Sequence, residues 1–375
     1  MCLPRLAYQT IFRLTQMTIK VAIPDLQPGW YGGMRHLATI RKGVNQLEEL
    51  GVVDIARCPS LSKGDRYSEK KYSLTNLANF SCDIIRGLNV LNIPRPLSRF
   101  SEKSLGWIPD LQDIEKPEFF NSVEISRREK LREDYIKRNR AFIFSSNSAL
   151  NVFKSMGYKN PLVAGILRFA SDLSSLSPIR NLNTSCHGCE EFGFFYLPNQ
   201  WWIHKNHEWV LKNYMDYQSS GGLAHLILTG KESDLRWPNY SADKILSRYK
   251  LSNVHRLGMV ERQVQKYLFT NAIAVIQPSY YEGWSTTIEE AISCGTPIIA
   301  SDIASNSEQL IDCKDATLIN LNANSELVDA LLAPPVRMAN IEIHMRNAVR
   351  WKRFLDDLEN VITLGDQMTS GGKGN

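Results

Sequence analysis

Residues 277–302 read QPSYYEGWSTTIEEAISCGTPIIASD. The apolar run Ile273 to Ile276 just before them has strand composition, and the strand ends at Gln277. A loop follows through Tyr280, Tyr281, Glu282 and Gly283. A helix is predicted over 286–293, opening at Ser285, Thr286 and Thr287, and Pro297 to Ala300 is the next strand. The first turn of such a helix offers backbone N–H groups and the positive end of a dipole, which suits phosphate. Gly283 lets the backbone approach a ligand closely. Two carboxylates frame the turn, Glu282 before the helix and Glu290 inside it. Carboxylates accept hydrogen bonds from hydroxyl groups, so this pair has the chemistry to hold a sugar and a ribose on either side of a diphosphate. Glu290 also reads as one more charged residue on a solvated helix face.

Outward from this segment, strands and helices alternate. After it come residues 339–363, read as one or two closing helices, and a tail over 367–375 expected to be disordered. Before it, Phe194 to Leu197, Leu226 to Thr229 and Val254 to Leu257 read as strands, with helices over 206–217 and 261–269. The alternation predicts a doubly wound domain over 192–338. A Ser- and Asn-rich stretch, 171–191, interrupts the rhythm and reads as a linker. It carries Cys186-His187-Gly188-Cys189, the spacing of half a zinc site; no second ligand pair follows at matching spacing, so a polar loop without metal is expected. The alternation also runs through 17–170: strands at Ile19 to Ile23, Val52 to Ala56 and Ala141 to Ser145, and helices over 34–50, 122–139 and 147–156. Residues 1–16 have no apolar run long enough for a signal peptide and read as an unstructured extension.

Composition bounds the rest. The 375 residues are 43% hydrophobic and 22% charged, enough for two domains of ordinary globular character. A net charge of +5 falls short of a dedicated nucleic-acid binder and suits an anionic ligand or membrane surface. Seven irregularly spaced cysteines point to reduced thiols and a cytoplasmic chain. The stretch RREKLREDYIKRNR at 127–140 has seven basic and three acidic residues. It reads as a solvated helix with internal ion pairs, or as a contact for anionic lipid.

The 277–302 segment resembles the signature of the retaining glycosyltransferases of family 4, the glycosyl transferases group 1. The matching residues are Pro278-Ser279, Glu282-Gly283, Glu290-Ala291 and Cys294-Gly295-Thr296-Pro297. FFYLPNQWWIHKNHEWVL at 194–211 is similar to the first strand and helix of the family's donor domain, and GWYGG at 29–33 to its glycine-rich first loop. LILTGKESDLRWPNY at 226–240 and GWIPDLQDIEKPEFF at 106–120 are similar to segments of a subset of the family.

The resemblance implies an α/β chain of the GT-B fold, two doubly wound Rossmann-like domains facing across a cleft. It implies Lys205 on the donor diphosphate and Glu282 on the sugar as the catalytic pair. Glu290 falls on the ribose, and Gly283, Trp284, Ser285, Thr286, Thr287 and Gly258 line the rest of the donor site. Gly32, Gly33 and Asp113 fall on the acceptor or sugar side. Asp113 stands where the subset usually has a histidine. The implied partners are a nucleotide sugar and a glycan or lipid-linked acceptor, with peripheral contact to an anionic membrane and no nucleic acid. No cofactor is expected, and with no Asp-x-Asp in the chain no catalytic metal either. The alternatives are a nucleotide-sugar epimerase, a phosphorylase, or a non-catalytic relative that binds a nucleotide sugar or glycan.

Overall fold

A computed structural model of the chain describes residues 21–22, 31–50, 86–90, 105–139, 141–158, 162–177, 179, 189–234 and 236–370. The expected strand over 52–56 and the expected extension over 1–16 lie outside them. Strands β1 (Val21–Ala22), β2 (Arg86–Val90), β3 (Leu105–Ile108), β4 (Ala141–Phe144) and β5 (Leu162–Ile166) form one sheet in that order. All four pairings are parallel. Its partly described connections include the helices Tyr31–Glu49, Ser122–Arg138 and Asn147–Ser155. Asn121 and Ser146 cap the last two by accepting backbone N–H groups of the first turn.

The second sheet holds β6 (Phe194–Leu197), β7 (His225–Leu228), β10 (Val254–Arg256), β11 (Val275–Gln277), β12 (Ile298–Ser301) and β13 (Ala316–Ile319). A small antiparallel pair, β8 (Ser233–Asp234) and β9 (Trp237–Ser241), stands apart from it. The spatial order is β10-β7-β6-β11-β12-β13, all parallel. By chain order this is 3-2-1-4-5-6, the Rossmann arrangement, with its reversal of direction between β6 and β11. Alternate residues of β6 explain why both faces are covered. Phe195 and Leu197 enter one apolar cluster with Val210, Leu211 and Tyr214. Phe194 and Tyr196 enter another with Leu268, Ile288 and Ile292.

The closing segment is one helix, Asn340–Ser370, so residues expected in the tail as far as Ser370 are helical. It ties the two halves together. Phe354, Leu358, Val361 and Ile362 pack with Leu37, Ile40, Val44 and Trp107 of the N-terminal half. Each such buried side chain is worth roughly 1.5–3 kcal/mol relative to exposure. On the C-terminal half the same helix holds Arg350 on Glu289, and Asn347 donates to the Ser293 carbonyl. In the basic stretch, read as a solvated helix with internal ion pairs or as a lipid contact, Arg127, Lys130 and Lys137 are exposed. Arg127 and Arg128 pair with Glu124, and Arg132 is buried against Asp113. Among the described residues no helix is long and apolar enough to cross a membrane.

Candidate active site in the interdomain cleft

In an open parallel sheet ligands bind beyond the carboxyl ends of the strands where the strand order reverses. Here that point lies beyond Leu197 of β6 and Gln277 of β11. A cleft opens there, lined on the C-terminal side by Asn199, Lys205, Gly230, Glu282, Gly283 and Thr287. Arg35, His36, Pro109, Asp110 and Gln112 line the side facing them.

After β6 the chain makes a single turn of tight helix, Ile203–Lys205, and Asn206 takes a left-handed conformation with φ 58° before the helix His207–Ser219 begins. This turn projects Lys205 into the cleft, where its Nζ lies 2.5 Å from Glu282 Oε1. Gln277 donates to the same oxygen at 2.6 Å and to Ser279 Oγ at 3.0 Å, and Asn199 donates to Gln277. Lys205 and Glu282 are 77 residues apart in the chain and meet because β6 and β11 are neighbours. His204 and His207 flank Lys205 and are both buried. His207 stacks on Trp201 and meets the Asn199 carbonyl at 3.1 Å. Burial holds its pKa down to about 3 and that of His204 well below the usual range, so both are neutral props.

The helix Thr286–Cys294 starts as expected. Ser285 caps it, its Oγ accepting from Ile288 N, and Gly295 ends it in a left-handed conformation. Ser285 is itself buried and its N–H donates to Gln309, so it builds the helix start rather than lining the cleft; Thr286 and Thr287 line it. Gly258 lies behind the lining, with its carbonyl on Gly230 N, and the residues after it, Met259 and Val260, reach the cleft.

Gly283 lines the cleft and has a second constraint that its sequence does not show. A Cβ there would sit 2.2 Å from the Pro109 carbonyl oxygen and 2.8 Å from Asp110 Cβ. The glycine is required by the facing domain. Its neighbours make the same contact: Tyr281 OH accepts from Leu111 N at 2.8 Å, and Trp284 Nε1 donates to the Phe169 carbonyl at 3.1 Å. The Tyr281–Trp284 loop is therefore the seam between the halves as well as a wall of the cleft.

Glu290 lies beside this cleft, in an adjoining cavity lined also by Arg35, His36, Thr286 and Arg262. It is buried, and Arg35 and Arg262 each approach its Oε1 at 2.7 Å. It is not on a solvated face. Arg35 belongs to the N-terminal helix Tyr31–Glu49, so the Arg35–Glu290 pair crosses between the halves.

Residues 193–333 match the family model described as Glycosyl transferases group 1. Over 80 residues the chain is 35% identical to the O-antigen chain mannosyltransferase B of Escherichia coli, a stretch covering 21% of this chain and 19% of that enzyme. Structural likeness is broader. Anabaena Alr3699/HepE, solved with UDP, superposes with a TM-score of 0.56 over 94% of this chain and 99% of its own, at 17% identity. The sucrose-phosphate synthase of Thermosynechococcus elongatus gives 0.53 over 79% and 74%, at 16% identity. The fold is GT-B.

Two expectations for the N-terminal wall of this GT-B cleft change. Gly32 and Gly33, expected in a loop before a helix starting near Met34, fall in the first turn of the helix Tyr31–Glu49. Asp113 does not line the cleft. It is buried behind it with Oδ2 2.5 Å from Arg132 Nη1, because a charged carboxylate in that apolar setting needs a cation. The carboxylate that reaches the cleft is Asp110, whose pKa burial raises against the opposing pull of Arg128. His36 is another cleft residue, like Arg35, Gln112 and Asn199, that the sequence did not mark. It stacks on Phe169 with ring centroids 4.0 Å apart, and neither ring nitrogen has a hydrogen-bond partner among the described residues. Burial lowers its pKa to about 3. Asp110 carried a weak signal, three residues before Asp113 in the same segment; His36 carried none, since a histidine within a helical pattern is ordinarily a core or surface residue.

Proposed function

We propose that this chain is a glycosyltransferase of the retaining, metal-independent kind. It would move a hexosyl group from a nucleotide sugar to a glycan or lipid-linked acceptor in the assembly of cell-surface polysaccharide or lipopolysaccharide. The observation that carries the proposal is the meeting of Lys205 and Glu282 at the switch point of a Rossmann domain, across a cleft from His36 and Asp110. The family match over 193–333, the name of the mannosyltransferase relative and the UDP held by a GT-B neighbour all support it.

In this reading the leaving nucleoside diphosphate gains negative charge as the glycosidic bond breaks, and the acceptor hydroxyl's proton passes to the departing phosphate oxygen. Lys205 and the start of the helix Thr286–Cys294 stabilise that charge. Glu282, released in part from Lys205 by the phosphate, orients the sugar. Both arginines meet Oε1 of Glu290, and we assign its Oε2 to the ribose hydroxyls. His36 and Asp110 meet the acceptor or the far side of the sugar. The acceptor's lipid portion would account for a peripheral membrane position on the cytoplasmic side.

A thermal-shift screen of nucleoside diphosphates followed by slow hydrolysis of the matching nucleotide sugars tests the proposal, because a bound ligand stabilises the folded state by mass action. A stabilising diphosphate and turnover that survives chelator are expected. Binding without turnover of any nucleotide sugar, alone or with acceptor glycans, would make the chain a binding relative. Activity abolished by chelator and restored by Mg²⁺ or Mn²⁺ would overturn the metal-independent site.

A further inference from the structure

At the opposite end of the C-terminal sheet, Cys189, His225 and His255 bring their ligand atoms within 4.8 Å of one another. They come from three separate places. Cys189 opens the short helix Cys189–Phe192 where the linker enters the domain. His225 is the first residue of β7, and His255 lies in β10. The register makes the convergence a property of the sheet: His255 pairs with Ile227, two positions along from His225 on the same face. His225 is buried, while Cys189 and His255 are half-buried. The facing nitrogens, His225 Nδ1 and His255 Nε2, are 2.7 Å apart, in rings only 6° from parallel.

We propose that Cys189, His225 and His255 hold a Zn²⁺ ion. A thiolate and two imidazoles are a borderline-soft donor set matched to zinc, which these three ligands would hold in a tetrahedral shell. With Zn–N near 2.0–2.1 Å and tetrahedral angles, two bound nitrogens stand about 3.3 Å apart. The imidazole pair need open by only a fraction of an ångström. The Cys189 thiol gives up its proton on binding. The sequence alone pointed to a polar loop without metal, because the two histidines come from strands far along the chain.

The zinc would pin the end of the linker to the amino edge of β7 and β10. The cleft begins beyond the carboxyl end of β7, at Gly230, roughly 10 Å or more along the strand at about 3.3 Å per residue. The metal is therefore no part of the transfer chemistry, and the inference stands whether or not the proposed activity does.

Metal analysis and Co²⁺ substitution of the full-length chain test it. Purified protein should carry about one equivalent of Zn²⁺. After chelation, Co²⁺ should restore one equivalent with a thiolate-to-cobalt charge-transfer band and intense visible bands of tetrahedral cobalt. Cys189→Ser should lose the charge-transfer intensity of one thiolate and at least tenfold in metal affinity, as should His255→Ala. A wild-type chain that binds Zn²⁺ and Co²⁺ no more tightly than Cys189→Ser overturns the site, as does a cobalt spectrum without a thiolate band. Should His255→Ala fail to fold, the wild-type cobalt spectrum and Cys189→Ser still decide.

Discussion

The two walls of the cleft satisfy their polar groups in different ways. On the C-terminal wall Lys205, Glu282, Gln277, Ser279 and Asn199 form a connected set whose members belong to one domain. On the N-terminal wall His36 is buried with two ring nitrogens that no described residue meets, and burial raises the Asp110 carboxyl. A connected polar network holds its members in place, whereas an unmet buried group carries a cost that a bound water or ligand relieves. The polar groups of the C-terminal wall are thus held by one another, while among the described residues His36 on the N-terminal wall is held only by packing. The seam between them is steric, at Gly283, and ionic, at Arg35–Glu290.

The sharpest way to break this comparison is Lys205→Ala. Loss of one preorganised charge at the leaving group should cost roughly 2–4 kcal/mol of transition-state stabilisation, seen as a large fall in kcat/KM in steady-state kinetics. Unchanged kcat/KM in a folded variant would reduce Lys205–Glu282 to a structural ion pair.

Next in size is Gly283→Ala. The added Cβ meets Pro109 backbone, which cannot swing aside as a flexible side chain would. Overpacking of this kind costs about 1–3 kcal/mol. The thermal unfolding midpoint should fall and the walls should part, lowering kcat as well. An unaltered midpoint would mean the two halves separate freely and the seam carries little.

His36 gives a pH-dependent effect. Its folded pKa, about 3, lies below the 6.5 of the unfolded chain. Between those values the unfolded state binds a proton that the folded state refuses, so stability falls as pH falls through that window. The slope from this group is up to about 1.4 kcal/mol per pH unit. His36→Phe should flatten the decline of the unfolding midpoint below pH 6.5 relative to wild type. Parallel curves would show that His36 is already solvated or partnered in the folded protein.

The smallest expected effect separates the two glutamates. Glu290→Gln should weaken nucleoside-diphosphate binding by about tenfold, about 1.4 kcal/mol, because a ribose contact is made equally in ground and transition states. Glu282→Gln should leave that binding nearly intact and lower kcat. Calorimetry on both variants checks the assignment, and the reverse pattern would exchange the two roles.

Much of the C-terminal domain was legible in the sequence because its signals are local. The strand at Phe194–Leu197 and the helix over 286–294 follow from apolar runs, the Ser285 cap and the Gly295 stop. The family resemblance covered the same stretch, and Lys205 and Glu282 were both named from it. The N-terminal half was read less well. Strands β2, β3 and β5 went unassigned; in the C-terminal half so did β13 and the β8–β9 pair, whose Trp237 donates to the Phe119 carbonyl across the seam. Short runs such as RGLNV and LGWI become strands through pairing with neighbours, which no local pattern records.

From the sequence alone came the alternation that specifies two parallel sheets, the carboxylates and lysine able to meet a diphosphate sugar, and the helix start between them. These are properties of neighbouring residues, where periodicity and capping act over a few positions. Only the tertiary structure decided which groups share a space. It turned Asp113 onto Arg132 and brought Asp110 and His36 to the cleft. It gave Gly283 a second constraint in the facing domain, and it placed His225 and His255 against Cys189. Each of these depends on strand order and domain packing, which join residues tens to hundreds of positions apart and leave no trace in local spacing.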